Sequence, residues 1–221
     1  MRPLPVLAAL ALALPAPAAD PPLPAGYKLE QQPTDPGAAK VVLVGGSNYL
    51  KAGEHDYLAG CAVLADLLKQ PPGVAPVIAA DWPTKAETLA GAKVVVLFVD
   101  GGDKHAALQG NRAAEVQKLV DAGVGLVQLH QVADDPKDFG DRARAWAGGA
   151  WEKGTGQRAH WVHTFKTFPD HPVCRGVAPF TIDDGWLYKN RFATGKTGVT
   201  PVLRTVNPKE GRGLSGGTVL L

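Results

Sequence analysis

A chain of 221 residues with 45% hydrophobic and 20% charged residues carries enough apolar material for one domain with a full core, which excludes a disordered chain. Its net charge of +2 is small, and Lys189 with Arg191 is the nearest thing to a basic patch. Nucleic-acid binding therefore has no electrostatic footprint.

Arg2, the apolar run Leu4–Leu14 and the small-residue site Ala16-Pro17-Ala18 predict a secretory signal over residues 1–19. The run is too short to span a bilayer, so no stable membrane insertion is expected and the mature protein is placed outside the cytoplasm, periplasmic or extracellular. Residues 20–39, rich in Pro, Gly and Ala without apolar periodicity, read as a linker. From Lys40 onward strands and helices alternate. Lys40–Val44 is a continuous apolar strand suited to burial on both faces. A helix is predicted from His55 to Lys69, stopped by Pro71-Pro72-Gly73, followed by a strand over Val74–Ala79. Thr84 and Glu87 have capping-box spacing before a short helix. Lys93–Val99 is the strongest strand. Asn111 and Gly123 bracket a helix to Ala122, and Gly125–Leu129 is a strand delivering His130.

These βα units predict an α/β fold with a doubly wound, mainly parallel sheet flanked by helices. Beyond Gln131 the pattern changes. Residues 132–156 are polar and Gly-rich, with Trp146 and Trp151 flanking Gly148-Gly149. His160–Phe168 alternates, with Trp161, His163 and Phe165 on one face, and Val199–Val206 is another strand candidate. Cys61 falls on the apolar face of the first helix and reads as a core thiol. Nothing in the sequence places it beside Cys174 for a disulfide.

Ligands of an open α/β sheet bind beyond the carboxyl ends of its strands. Three such ends here are polar. One loop carries Ser47, Asn48, His55 and Asp56; a second carries Asp100, Asp103 and His105; the third presents His130 and Gln131. Histidine suits proton transfer near neutral pH or metal ligation, although His130 could equally cap a backbone carbonyl. Asp100-Gly101-Gly102-Asp103 could cradle a ligand or be a solvated turn, and Asp56 could serve only the helix dipole. His163 on an aromatic face reads as a core histidine, and His171-Pro172 as a structural turn. Trp186 and Tyr188 suit either a sugar-stacking platform or a core. Phosphate loops, the G-x-S-x-G elbow and H-E-x-x-H are all absent, and the histidines lack zinc spacing.

Several of these segments together resemble the ThuA-like (trehalose utilisation) family. They are Val41–Gly46, Gly53-Glu54-His55-Asp56-Tyr57-Leu58-Ala59-Gly60-Cys61, Asp100-Gly101-Gly102 with His105, Gly125-Leu126-Val127 with Leu129-His130, Gly148-Gly149, His171-Pro172 and Phe180–Asp184. The likeness runs from Lys40 to Val206. It implies a class I glutamine amidotransferase-like fold without the nucleophilic cysteine, whose place His130 would hold. It also implies a role in disaccharide or keto-glycoside utilisation, with a small-molecule carbohydrate as partner. On that reading His130 is the acid/base and Asp100 and His105 orient the substrate. His55, Asp103, Gln131, Asp184, Trp186 and Tyr188 bind it, and a divalent metal is the one cofactor the histidines would admit. The other reading of the same cleft is a non-catalytic sugar-binding or scaffolding module. The sequence departs from the family at Asn48, often His, and at Gly185, often acidic. It also departs in the Gly211–Leu221 stretch, where a histidine-bearing strand is expected, which implies a truncated or divergent member.

Overall fold

The computed structural model describes residues 23–47, 51, 53–193, 198–209 and 218–220. The leader, Asn48 and the stretch 210–217 lie outside the described residues. Strands β1 (Ala39–Gly45), β2 (Val74–Ala80), β3 (Val94–Phe98) and β4 (Gly125–Gln128) form a parallel sheet in the order β2-β1-β3-β4. Helix α1 (Tyr57–Leu68) and the four-residue α2 (Ala86–Leu89) precede β3. Helices α3 (Arg112–Asp121) and α4 (Gly140–Ala147) follow it.

The continuous apolar strands are buried on both sides because each face has its own core. Val42 and Val44 of β1 pack with Val95 and Leu97 of β3, Val116 of α3 and Trp146 of α4. Val41 and Leu43 point the other way, onto Leu58, Cys61 and Ala65 of α1. Helices thus cover both faces of a mainly parallel sheet, as the alternating pattern predicts. Each strand is only four to seven residues long, so the loops at the carboxyl ends of β1, β3 and β4 are brought close together.

After β4 the chain builds three smaller sheets. They comprise β5 (Asp134–Asp135), β6 (Gly149–Glu152), the long hairpin β7 (Gln157–Phe165) and β8 (Phe180–Tyr188), β9 (Arg191–Phe192), and the pair β10 (Arg204–Val206) and β11 (Thr218–Leu220). All are antiparallel except where β5 pairs β6 in parallel. Alternation on β7 is as expected: Trp161 and Phe165 are buried with Trp186 and Tyr188 in a third core, while His160, Val162 and Thr164 face out. The strand expected over Val199–Val206 is confined to its last three residues. His171 sits in a turn, its Nδ1 accepting from the Val173 amide at 3.3 Å. Both cysteines are free. No helix among the described residues is long and apolar enough to cross a membrane.

Two expectations about the amino-terminal half need correction for one reason. The stretch read as a linker is not detached from the domain: Leu23 and Tyr27 pack on the α1 core, and the Glu30 amide bonds the Ile78 carbonyl on the outer edge of β2 at 2.7 Å. Glu30 is buried, and its carboxylate accepts from the Thr84 hydroxyl (2.5 Å), the Thr88 hydroxyl (2.7 Å) and the amides of Thr84 and Lys85. Thr84 is therefore not a helix cap; Lys85 occupies that position and makes no side-chain cap bond. A carboxylate 54 residues away has taken the donors that the local pattern assigns to a capping box.

Burial opposes ionisation of Glu30, but the hydrogen bonds from Thr84, Thr88 and Lys85 outweigh it and hold its pKa near about 2, against 4.5 ordinarily. A depressed folded pKa gives stability that is full above the unfolded value and is lost as pH falls towards the folded one. Glu30→Ala should therefore cost roughly 2 to 4 kcal/mol at pH 7. The deficit should shrink between about pH 4.5 and 2 in denaturant titrations. A deficit independent of pH would assign the loss to packing alone.

Candidate active site

Strand order β2-β1-β3-β4 puts a topological switch between β1 and β3, because the chain leaves β1 towards β2 on one side and returns to β3 on the other. Crevices form at such switches. The loops leaving β1 and β3 meet there, and they meet through a residue that the sequence reading did not single out as functional. The Tyr57 hydroxyl, at the first turn of α1, lies 2.9 Å from His55 Nδ1 and 3.3 Å from Asp100 Oδ1. His55 Nε2 lies 3.3 Å from His130 Nε2, with the two rings edge to face at 4.8 Å. Asp100, Tyr57, His55 and His130 thus form one hydrogen-bonded row across three strand ends. Phe98 packs against both Tyr57 and His130.

The donors can be assigned along this row. Asp100 Oδ1 accepts from the Tyr57 O–H and from the Gly101 amide at 3.2 Å. The Tyr57 oxygen then accepts from His55 Nδ1–H, which leaves His55 Nε2 a lone pair facing His130 Nε2–H. Tyr57 stays protonated: burial first, and then the Asp100 charge, raise its pKa. At His130 burial and the neighbouring His55 lower the pKa, while Asp184 and Asp100 pull it back up. Around neutrality His130 is a neutral base.

His130 has φ +60°, a left-handed conformation that a residue with a side chain rarely adopts, at the start of the turn His130–Ala133. The turn is pinned from behind. A Cβ on Gly101 would overlap the Gln131 carbonyl oxygen and lie 2.6 Å from Asp134 Cβ, so only glycine lets the β3 loop lie directly on it. His105 belongs to this support, which corrects its expected role as a substrate ligand. It is 1% exposed, its Nδ1 has no partner, and it meets the backbone of Val132 inside the turn. Burial lowers its pKa to about 4, so it stays neutral.

His130 is the member of the row that reaches a cleft of about 1010 Å³ between β4 and the smaller sheets. Gln131, Trp151, Arg158, His160, Asp184 and Asn190 also line it. Gln131 and Asp184 are therefore where a substrate would meet them. Asp103 is not: it is exposed on the turn Gly102–Lys104 and away from the cleft lining. Trp186 and Tyr188 do not form a stacking platform. Both are at most 5% exposed; Trp186 stacks on Trp161 at 5.3 Å and donates to the Trp161 carbonyl, and Tyr188 packs edge-on to Trp161. Trp146 is in the core, bonded to Gln117, and Trp151 forms a wall, so neither fills the cleft. Among the described residues no group of three or more His, Cys, Asp or Glu side chains could hold a metal ion. Cys61 is sealed under α1, where burial pushes its thiol up to about 12.

No family model, curated protein or solved structure matches this chain.

On β5, paired with Glu152 of β6, Asp135 is 2% exposed with Oδ1 unpartnered, and burial, then Asp134 and Glu152, raise its pKa to about 7. An acid neutral when folded but ionised when unfolded loses stability as pH rises between the two pKa values. Asp135→Asn should accordingly add on the order of 1 to 3 kcal/mol at pH 8 and almost nothing at pH 4. Equal Tm shifts at both pH values would refute a titrating Asp135.

Proposed function

We propose that this chain is an exported acid/base enzyme acting on a disaccharide or keto-glycoside, with His130 as the acid/base, as the ThuA-like resemblance implies. The observation that carries this reading is the row Asp100–Tyr57–His55–His130 ending at the wall of a substrate-sized cleft. A proton taken from a sugar hydroxyl at His130 Nδ1 leaves the imidazolium donating through Nε2 to His55 Nε2. His55 Nδ1–H in turn donates to the Tyr57 oxygen, and Tyr57 O–H to the Asp100 carboxylate. The negative charge at the far end stabilises the positive charge at the near end, and the intervening bonds fix the ring. Asp184, close enough to raise the His130 pKa, favours the same imidazolium.

An amidotransferase-like arrangement is consistent with the order β2-β1-β3-β4 and with a positive-φ residue directly after the last parallel strand. A histidine at that turn cannot form a thioester, so the proposed chemistry is proton transfer and not glutamine hydrolysis. The sequence of residues 1–19 supports export, and mass spectrometry of the secreted protein should find an amino terminus near Asp20.

His130→Ala and His130→Gln should each lower turnover of the responsive sugar by about 10² to 10⁴ while leaving the circular dichroism spectrum unchanged. Tyr57→Phe, which breaks the row at its centre, should lower kcat roughly 10-fold. As a base His130 must be neutral, so kcat should fall on the acid side with a midpoint below the ordinary histidine value of 6.5. Wild-type turnover in both His130 variants would remove it from the mechanism. Sugar binding without turnover in the parent would make the chain a binding module.

A further inference from the structure

The cleft wall opposite β4 carries an arginine and a histidine, and the row of acid/base groups makes no use of them. Arg158 and His160, two residues apart on β7, project from the same face into the cleft. The Arg158 guanidinium lies 4.7 Å above the Trp151 ring. That indole is itself fixed: Nε1 donates to the Gln157 carbonyl at 2.9 Å, and Gly156 lies so close beneath it that any Cβ there would overlap the ring. One terminal nitrogen of Arg158, NH2, is paired with Asp134, which ends the turn opened by His130. The remaining N–H groups of the fork have no protein partner among the described residues, and the side chain is 50% exposed. His160 makes no side-chain hydrogen bond or ion pair among the described residues. Its cross-strand partner is Gly185, and a Cβ there would stand 2.9 Å from His160 Nε2, so the ring lies over bare backbone. Asp184 is the one carboxylate lining the cleft among the described residues, and its Oδ1 is occupied by the Gly185 amide at 2.7 Å.

A guanidinium packed over an indole, with part of its fork free, is a pre-organised receptor for a planar anion. A neutral sugar would leave those donors without a charged partner. We infer that the carbohydrate bound here is acidic, with the carboxylate of a uronic acid residue seated on Arg158 and His160 and its glycosidic end directed to His130. This rests on the carbohydrate reading of the cleft and adds the class of sugar to it.

Isothermal titration of the full chain with a glucuronate-containing disaccharide, its neutral glucose counterpart and glucose 6-phosphate tests the assignment. The acidic disaccharide should bind about 10-fold or more tightly than the neutral one, and the preference should weaken as salt is raised. Arg158→Gln should collapse that ratio towards one. Arg158→Lys, which keeps the charge and loses the fork, should restore part of it, and His160→Gln should reduce it by a smaller factor. Equal or tighter binding of the neutral disaccharide overturns the inference and leaves the carbohydrate reading standing, as does a preference that survives Arg158→Gln in a folded variant. Tighter binding of glucose 6-phosphate overturns the carboxylate assignment. Binding of none of the three sugars removes the carbohydrate reading itself.

Discussion

The hydroxyl of Tyr57 is the point at which two otherwise separate loops become one site. Parallel neighbours such as β1 and β3 end side by side, but their following loops diverge to reach helices on opposite faces of the sheet. A side chain rooted in α1 must therefore reach back over the strand ends to tie them. Tyr57 has the length for it, is 1% exposed, and spends its single hydrogen on Asp100 and its oxygen on His55. Leaving that buried hydroxyl unpaired would cost on the order of 1 to 3 kcal/mol. The orientation of His55, and through it of His130, follows from satisfying that one hydroxyl.

A second constraint works from the other side. His130 is held in a left-handed conformation, which persists only where surroundings over-determine it. Here they do: Gly101 lets the β3 loop seat on the Gln131 carbonyl and on Asp134, and buried His105 fills the space beneath Val132. Asp134 continues outward to pair with Arg158. The same short turn thus links the acid/base row to the Arg158 side of the cleft.

The parallel sheet was legible because its signal is local. Runs such as Val41–Val44 and Val94–Leu97 are apolar at every position, which only a strand covered on both faces requires, and glycine or proline punctuates each helix. The site was legible in part for the same reason: polar residues in the loops that follow such strands, namely Asp100, His55 and His130, fall at one edge whatever the details. What failed was everything decided by side chains distant in sequence. Thr84 looks like a cap until Glu30 takes its donors. His105 sits in a polar loop yet turns inward. Trp186 and Tyr188 alternate properly along β8, but alternation cannot say which face the hairpin buries, and Trp161 and Phe165 across the ladder decide it. Tyr57 was overlooked because it occupies a helical position of the apolar stripe that contains Cys61, Leu64 and Leu68. An aromatic there reads as core, and its ring is core; only the hydroxyl at its tip serves the site.

The buried polar groups around the cleft share one property. Neutral His105, protonated Asp135 below about pH 7, and protonated Tyr57 each hold the uncharged form under burial. The carboxylates and the guanidinium that remain, of Asp100, Asp184 and Arg158, stand at the rim or in the cleft, where a ligand can answer them. Charge retained only where it meets solvent or substrate keeps the desolvation cost low. It also lets His130, flanked by neutral supports behind and carboxylates at either hand, change protonation state without disturbing the turn that carries it.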